Sequence, residues 1–223
     1  MASIRTHFEQ QLRELQDDTL VLGSMVDSAI ASAVDALKRR DLEASNRVID
    51  EDNLIDRKRW EIEQRSIMII ATQQPTASDL RFLYAIASII TDLERMADHA
   101  EGIAKISLMI GDNPLPKPLI DIPRMCDVSR SMLRRSLDAF VNRDAEGAKA
   151  VAQEDDLVDA LYDQVYRELL TIMIENPRTI TIATYLLWAA HNLERIADRV
   201  TNICERVVYT VTGRMEEINV SKY

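Results

Sequence analysis

The chain has 223 residues, 47% of them hydrophobic and 29% charged, so it is long enough to bury a substantial core as one large domain or two small ones. A formal net charge of −10 excludes a protein that binds nucleic acid mainly through clustered Lys and Arg. The chain contains only five Gly and six Pro, which favours a mostly helical protein.

The N-terminal sequence and the apolar runs favour a cytoplasmic protein. The sequence MASIRTHFEQQL contains no apolar h-region, and the longest apolar run, FLYAIASII, is far shorter than the roughly 18 residues that span a membrane. The two cysteines, Cys126 and Cys204, lie in helix-like stretches without a pairing pattern. We therefore expect buried free thiols and no disulfide.

Two long helices are predicted at the start of the chain. The first runs from about Thr6 to Arg40. Its apolar stripe is formed by Met25, Ile30, Val34 and Leu37. Asp41 is a favourable N-cap for a second helix that continues to about Ala71. Apolar residues recur in this second helix every seven positions, as in a bundle seam, at Val48, Ile55, Ile62 and Ile69.

A third helix is predicted after the break at QQPTASD. Pro75 ends the preceding helix, and Thr76 with Asp79 resembles a capping box. The helix continues to about Ile110. Its inward-facing residues are expected to be Leu83, Ile86, Ile90, Leu93, Ala97 and Ala104.

The second half of the chain has helix-starting and helix-ending residues at positions that match those of the first half. The segment GDNPLPKPLIDIP has four prolines in thirteen residues and is predicted to be a loop between two domains, residues 1–112 and 120–215. Asp144 is placed like Asp41 before a helix, ENPRT makes the second break, and Gly213 closes the last helix.

Three sequence blocks occur twice in the same order. LERMAD recurs as LERIAD at an offset of 100, and EDNLID recurs as EDDLVD at an offset of 103. DALKRRD and DAFVNRD share the second offset. The two halves are therefore copies, and the predicted fold is all-α, with two tandem antiparallel three-helix bundles.

Pairs of carboxylates four residues apart are the chemistry that the repeat preserves. The pairs are Asp52 with Asp56, Glu94 with Asp98, Asp155 with Asp159, and Glu194 with Asp198. In a helix each pair lies on one face with Cβ atoms about 6 Å apart, and like charges so placed cost about 0.2–0.5 kcal/mol. Two interpretations account for them: solvated faces balanced by neighbouring arginines, or carboxylates of two helices that converge on a metal ion.

We favour the metal interpretation. Arg95 is next in sequence to Glu94 and therefore points about 100° away, so we expect it not to face the partner of Glu94. Oxygen ligands suit Mg, Ca, Mn or Fe, and zinc also accepts carboxylate. His191, one turn before Glu194, is a candidate nitrogen ligand or a structural histidine, whereas His99 points away from the carboxylates.

These acidic motifs, together with DLR at residues 79–81, closely resemble the PhoU family of bacterial phosphate-signalling regulators over nearly the whole chain. The resemblance implies two tandem three-helix bundles with multinuclear iron or zinc clusters on the acidic motifs, Mg and Mn being alternatives. It implies ligation by the eight paired carboxylates, with Glu51 and Glu154 as further candidates. Gly102 stands where the second half has Asn202, and Asp92 where it has Asn192, which leaves open whether the two sites are equivalent.

The function implied by the resemblance is regulatory. The expected protein is a non-enzymatic adaptor between the ATPase subunit of the phosphate transporter and a membrane sensor histidine kinase, and it keeps phosphate-starvation genes off when phosphate is plentiful. A homodimer is expected, with membrane contact only through these partners.

Two other classes compete with this interpretation. A carboxylate-bridged di-iron or ferritin-like oxidase needs Glu-x-x-His on two helices, and none of His7, His99 and His191 follows a Glu by three residues. A metal-free helical scaffold would carry the acidic stripes only as solvated surface.

Overall fold

The computed structural model describes residues 2–219, and every regular element among them is helical. The helices are α1 (Ala2–Arg39), α2 (Leu42–Gln73), α3 (Ala77–Ile110), α4 (Asp121–Asn142), α5 (Ala145–Ala152), α6 (Asp155–Glu175) and α7 (Ile180–Thr212), with a 3-10 turn at Pro177–Thr179. Helices α1–α3 form the first half and α4–α7 the second. The all-α class with repeated bundles is confirmed.

Most of the predicted helix ends are confirmed. The Asp41 carboxylate accepts a hydrogen bond from the Ala44 N–H at 2.9 Å, and Asp144 accepts one from Gly147 at 2.9 Å, so both act as N-caps. Gly213, at φ 73°, ends α7 in the left-handed conformation that favours glycine.

Two details of helix initiation differ from the prediction. Thr76 precedes α3, but its side chain accepts no capping hydrogen bond from the described residues, so the predicted capping box is wrong. The segment Asp121–Pro123, predicted as loop, forms the first turn of α4. Proline is tolerated there because the first N–H groups of a helix have no intrahelical partner.

The second helix of the second half is divided into α5 and α6, although the matching helix α2 is continuous. The chain turns at Gln153–Glu154, where the Glu154 carboxylate receives two hydrogen bonds from Arg135 of α4, at 2.9 and 2.7 Å. The residue of the first half that corresponds to Arg135 is Ser32, which has no charge to offer. The turn places Asp155 at the first position of α6.

Helices α3 and α7 pack antiparallel and join the two halves. Their side-chain contacts run in opposite directions along the two sequences, from the ring pair Tyr84–Tyr209 to the hydrogen bond between Asn202 and Asp92. They continue to the approach of Gly102 to Asn192, where an added Cβ would lie 3.2 Å from the Asn192 Oδ1. This register places the repeated alanines, Ala97 and Ala197, opposite each other near a pseudo-twofold axis.

Four residues at which the repeats differ, Asp92, Gly102, Asn192 and Asn202, lie in this α3–α7 contact. The buried Asp92 carboxylate accepts hydrogen bonds from Asn202 at 3.1 Å and from Arg199 at 3.3 Å. At the symmetric place, the Asn192 Oδ1 lies 2.9 Å from the His99 Nδ1, and Gly102 leaves room for it. The differences are therefore complementary across the interface.

Helices α1 and α4 make a second contact between the halves. Arg130 of α4 donates two hydrogen bonds to Asp27 of α1, at 2.9 and 2.8 Å, and Gly23 of α1 packs against Leu137. These contacts do not show whether the two halves are separate domains. The predicted domains, residues 1–112 and 120–215, therefore stay a prediction. The central four helices are α1, α3, α4 and α7. Helix α2 packs against α1 and α3, and α5 and α6 pack against α4 and α7.

The interior is apolar and contains the predicted seam. The residues Val48, Ile55, Ile62 and Ile69 of α2 are all buried, as are all six inward positions predicted for α3. Cys126 and Cys204 are buried free thiols, and burial raises the pKa of each to about 12.

Helix α1 is long and apolar enough to span a membrane by length and composition alone. The lengths of the apolar runs in the sequence did not predict this. Within Thr6–Arg39 an 18-residue window has a mean hydropathy of 1.5, and 44% of that window is buried inside the bundle. A core helix of a folded domain passes the same test. Its apolar residues include Leu22, Val26 and Ile30, all fully buried.

Replacing Asn202 with Ala should weaken the contact between the halves. The buried Asp92 carboxylate loses one of its two donors, which should lower the free energy of unfolding by about 1–3 kcal/mol. Urea denaturation followed by circular dichroism measures this. Asn46→Ala is the matched control, because the Asn46 side chain is exposed and bonds only its own helix, so a change within about 0.5 kcal/mol is expected. Equal losses in the two variants would contradict this description of the interface.

Candidate metal sites on two acidic helix faces

The first acidic face brings carboxylates of α2 and α3 together. It consists of Asp52 and Asp56 of α2 with Glu94, Asp98 and Glu101 of α3. Burial raises the pKa of Asp52 to about 6, and repulsion from the other four carboxylates adds to this shift. Burial also raises the pKa of Glu94, with Asp98 and Asp56 contributing. The two helices therefore hold their acidic stripes within range of each other's charge.

The second acidic face is its repeat on α6 and α7, formed by Asp155, Asp159, Glu194 and Asp198. Asp155 is only 5% exposed, and burial followed by repulsion from Asp198, Asp159 and Glu194 raises its pKa to about 7. Burial likewise raises the pKa of Asp159 and of Asp198. All eight predicted carboxylates thus lie in two clusters, one in each half.

Sequence reasoning missed Glu101 in the first acidic face. It lies seven residues after Glu94 and therefore on the same helical stripe, a spacing that was available in the sequence. Its side chain also contacts Lys105. The corresponding residue of the second half is the uncharged Thr201, so repeat comparison alone gave no signal for Glu101.

The prediction that Arg95 does not face the partner of Glu94 is wrong, and the matching Arg195 also contacts both carboxylates of its motif. Arg195 donates two hydrogen bonds to Glu194, at 2.7 and 2.6 Å, and its third nitrogen lies 3.0 Å from the Asp198 Oδ2. Arg95 lies 3.0 Å from Asp98 and 3.5 Å from Glu94. The Cα directions differ as expected, but arginine is long enough to fold back, and it stands three residues before the Asp, which is one helical turn.

The other ligand candidates lie in different surroundings. Glu154 is held by Arg135, and Glu51 lines a cavity beside Met25 of α1, so the structure does not bring either to its cluster. The His191 Nδ1 lies 3.2 Å from Glu194, at the edge of the second acidic face. Tyr162 of α6 lies next to His191, which sequence reasoning also missed.

The donor set of the second acidic face fits a hard or borderline cation. The Asp155 Oδ1 is buried and accepts no hydrogen bond from any described residue, so one oxygen of this face is left without a donor. Its four carboxylates are oxygen ligands of the kind that Mg, Mn and Fe take. Among the described residues, however, no three Asp, Glu, His or Cys side chains already converge on one point.

The family model for the PhoU domain matches the chain twice, over residues 19–107 and 122–207. The chain belongs to the PhoU family. The two matches fall one in each half, so the family unit is the repeat that carries one acidic face.

Curated relatives match nearly the whole length. The phosphate-specific transport system accessory protein PhoU homolog of Clostridium acetobutylicum is 38% identical over 216 residues, covering 96% of this chain and 99% of the relative. The homolog of Aquifex aeolicus is 37% identical, covering 92% of this chain and 93% of the relative.

Solved structures of the family share the fold. The phosphate transport system regulatory protein PhoU from Streptococcus pneumoniae superposes with a TM-score of 0.89 at 36% identity, covering 95% of this chain and 100% of that chain. PhoU from Pseudomonas aeruginosa superposes with a TM-score of 0.88 at 34% identity, covering 93% of this chain and 100% of that chain.

The metal-free protein should lose stability as pH rises through the titration of Asp155. An unfolded Asp ionises at a pH of about 3.9, so the unfolded chain releases its proton first, and the free energy of unfolding falls between about pH 4 and pH 7. Asp155→Asn removes this term and should be more stable than the parent by about 1–3 kcal/mol at pH 8, with little difference at pH 4.

Denaturant unfolding in the presence of a chelator measures both proteins across this pH range. Asp163→Asn, a change at a half-exposed residue of the same helix, is the control and should alter the free energy of unfolding by less than about 0.5 kcal/mol. An Asp155→Asn variant that is less stable than the parent at pH 8 would show that the carboxylate is satisfied in the fold.

Proposed function

We propose that this protein regulates phosphate uptake and phosphate-starvation signalling. The observation that carries the proposal is the near-complete match to relatives named as phosphate-specific transport system accessory proteins. The match covers both repeats and both acidic faces, so it extends over the parts of the chain that distinguish this bundle from other helical bundles.

The mechanism proposed is that of an adaptor without enzymatic activity. One partner is the ATPase subunit of the phosphate transporter, and the other is a sensor histidine kinase, which the protein holds inactive when phosphate is plentiful. This places the protein in the cytoplasm, as a homodimer that reaches the membrane only through its partners. The two repeats support the proposal because they offer two similar helical surfaces, α2 with α3 in the first half and α6 with α7 in the second.

The proposed cofactor is a multinuclear iron or zinc cluster on each acidic face, with manganese or magnesium as alternatives. Asp52, Asp56, Glu94 and Asp98 would hold it in the first half, and Asp155, Asp159, Glu194 and Asp198 in the second. The ions would supply positive charge that links α2 to α3 and α6 to α7. Apolar packing of the chain's own residues would align the helices. The carboxylates would provide a negative surface whose net charge depends on how many metal ions are bound.

A carboxylate-bridged oxidase is the second candidate considered for an acidic helical bundle. Each acidic face lacks the Glu-x-x-His pairs of that class, and His191 stands before Glu194 rather than after it. No observation on the described residues favours this candidate over a regulator.

Purified protein should bind divalent metal ions, ferrous iron among them, and the bound metal should stabilise the fold. A ligand at 100 times its dissociation constant adds about 2.7 kcal/mol to the free energy of unfolding. Elemental analysis of protein prepared without chelator, and melting curves with added Mn, Zn or ferrous iron, measure both effects. Stoichiometry near zero together with unchanged melting would favour the metal-free scaffold.

Loss of both acidic faces should release the phosphate-starvation response if the faces act in signalling. In a strain that lacks the protein, we expect Glu94→Gln/Glu194→Gln to restore repression of a starvation-gene reporter far less than the parent sequence does. Pulldown with the transporter ATPase subunit and with the kinase shows which contact is lost.

The matched control for this pair of changes is Glu43→Gln/Glu146→Gln. These two glutamates are also repeat partners, with side chains 88% and 85% exposed, and they lie outside the acidic faces. Full repression by the Glu94/Glu194 variant would remove the acidic faces from the mechanism, whereas pulldown of neither partner by the parent protein would contradict the adaptor role.

A further inference from the structure

Arg195 is placed like a bound cation within the second acidic face. Its guanidinium holds both oxygens of Glu194, at 2.7 and 2.6 Å, and one oxygen of Asp198 at 3.0 Å. Such charge-assisted, two-pronged bonds are the strongest that arginine makes with carboxylates. One side chain therefore neutralises and orients the two α7 members of the cluster.

The two α6 members are left without comparable partners. The Asp155 Oδ1 is buried and receives no hydrogen bond from the described residues, and among those residues no hydrogen bond or ion pair reaches the Asp159 carboxylate. Arg195 uses its Nε and one terminal nitrogen on Glu194 and its other terminal nitrogen on Asp198. It consequently satisfies one helix of the cluster and leaves the acceptors of the other helix unmatched.

We propose that Arg195 is an internal competitor for the metal of the second acidic face, holding Glu194 and Asp198 in the metal-free form and leaving when a cation binds. The inference rests on the metal binding proposed above. It follows from the geometry, since the oxygens that bond Arg195 are the same ones that a cation between α6 and α7 needs. No three carboxylates among the described residues converge while the arginine stays.

A cavity beside the second acidic face can accept the displaced guanidinium of Arg195. This cavity of about 480 Å³ opens beside Arg195 and Asp198, and its walls include the carboxylates Glu205 and Glu217 together with Arg199. Glu205 accepts a hydrogen bond from the Ile218 N–H at 3.1 Å, which holds the segment after α7 over this cavity. Arg195 is 45% exposed, so its movement does not require the core to open.

The first acidic face contains a weaker version of the same competitor. Arg95 makes one close contact, 3.0 Å to Asp98, and lies 3.5 Å from Glu94 without the two-pronged bond. Glu101 adds a fifth carboxylate there. Removing Arg95 should therefore change metal affinity less than removing Arg195.

The test measures Mn²⁺ binding by isothermal titration calorimetry at pH 7. To isolate the second face, the compared proteins carry Asp52→Asn and Asp98→Asn, which disable the first, and the full wild-type chain is titrated beside them. Adding Arg195→Gln should tighten Mn²⁺ binding about tenfold, because the ligand-competent arrangement no longer has to displace the arginine. The same change should lower the melting temperature of the metal-free protein, since the α7 carboxylates lose their counter-charge.

Arg167→Gln is the matched control, because Arg167 of α6 is 80% exposed and pairs only with Asp163. It removes the same net charge and should leave the Mn²⁺ affinity nearly unchanged. A reciprocal pair, with Asp155→Asn and Asp198→Asn as background, compares Arg95→Gln with its parent, and a smaller gain is expected there.

The outcomes separate the two proposals. Weaker or unchanged Mn²⁺ binding by Arg195→Gln, while the parent binds, would overturn the competitor role and leave metal binding standing. An equal gain from Arg167→Gln would also overturn it, since total charge would then account for the effect. Absence of binding by every protein, including the full wild-type chain, would overturn both proposals.

Discussion

Mutual repulsion of carboxylates that the core holds together is the constraint on which the two faces depend. Behind the second acidic face lie Val158 and Leu193, both fully buried, and this apolar packing fixes the spacing of α6 and α7. The carboxylates in front cannot separate without exposing that core. They respond instead by retaining protons, by bonding arginine or by binding a cation, and the three responses compete for the same oxygens.

The repeated Leu-Glu-Arg-x-Ala-Asp motif can be understood residue by residue. Leu193 is fully buried in the core, and Ala197, also fully buried, is small enough for α3 and α7 to approach each other. Glu194 and Asp198 form the α7 side of the acidic face, and Arg195 bridges them. One stretch of six residues thus serves core packing, contact between the halves and the charged surface, which accounts for its presence in both copies.

The sequence predicted what depends on local patterns, including the α2 seam, the Asp41 and Asp144 caps and the carboxylate pairs. It did not predict what depends on contacts between distant segments. At the turn that divides α5 from α6, Glu154 is bonded by Arg135 of α4. Asp92 pairs with Asn202 across the interface between the halves. The arginine orientation failed for a different reason, because a Cα direction says little about where a long, flexible side chain ends.

The structure implies that the fold buries Asp155 within a cluster of like charge, and titration of that carboxyl group is the direct test. Carbon-detected NMR of metal-free protein, with the resonance assigned through Asp155→Asn, follows its ionisation. We expect a pKa of about 7 for Asp155, and loss of this titration from the neutral range once Zn²⁺ is added. Titration near pH 4, unchanged by metal, would contradict it.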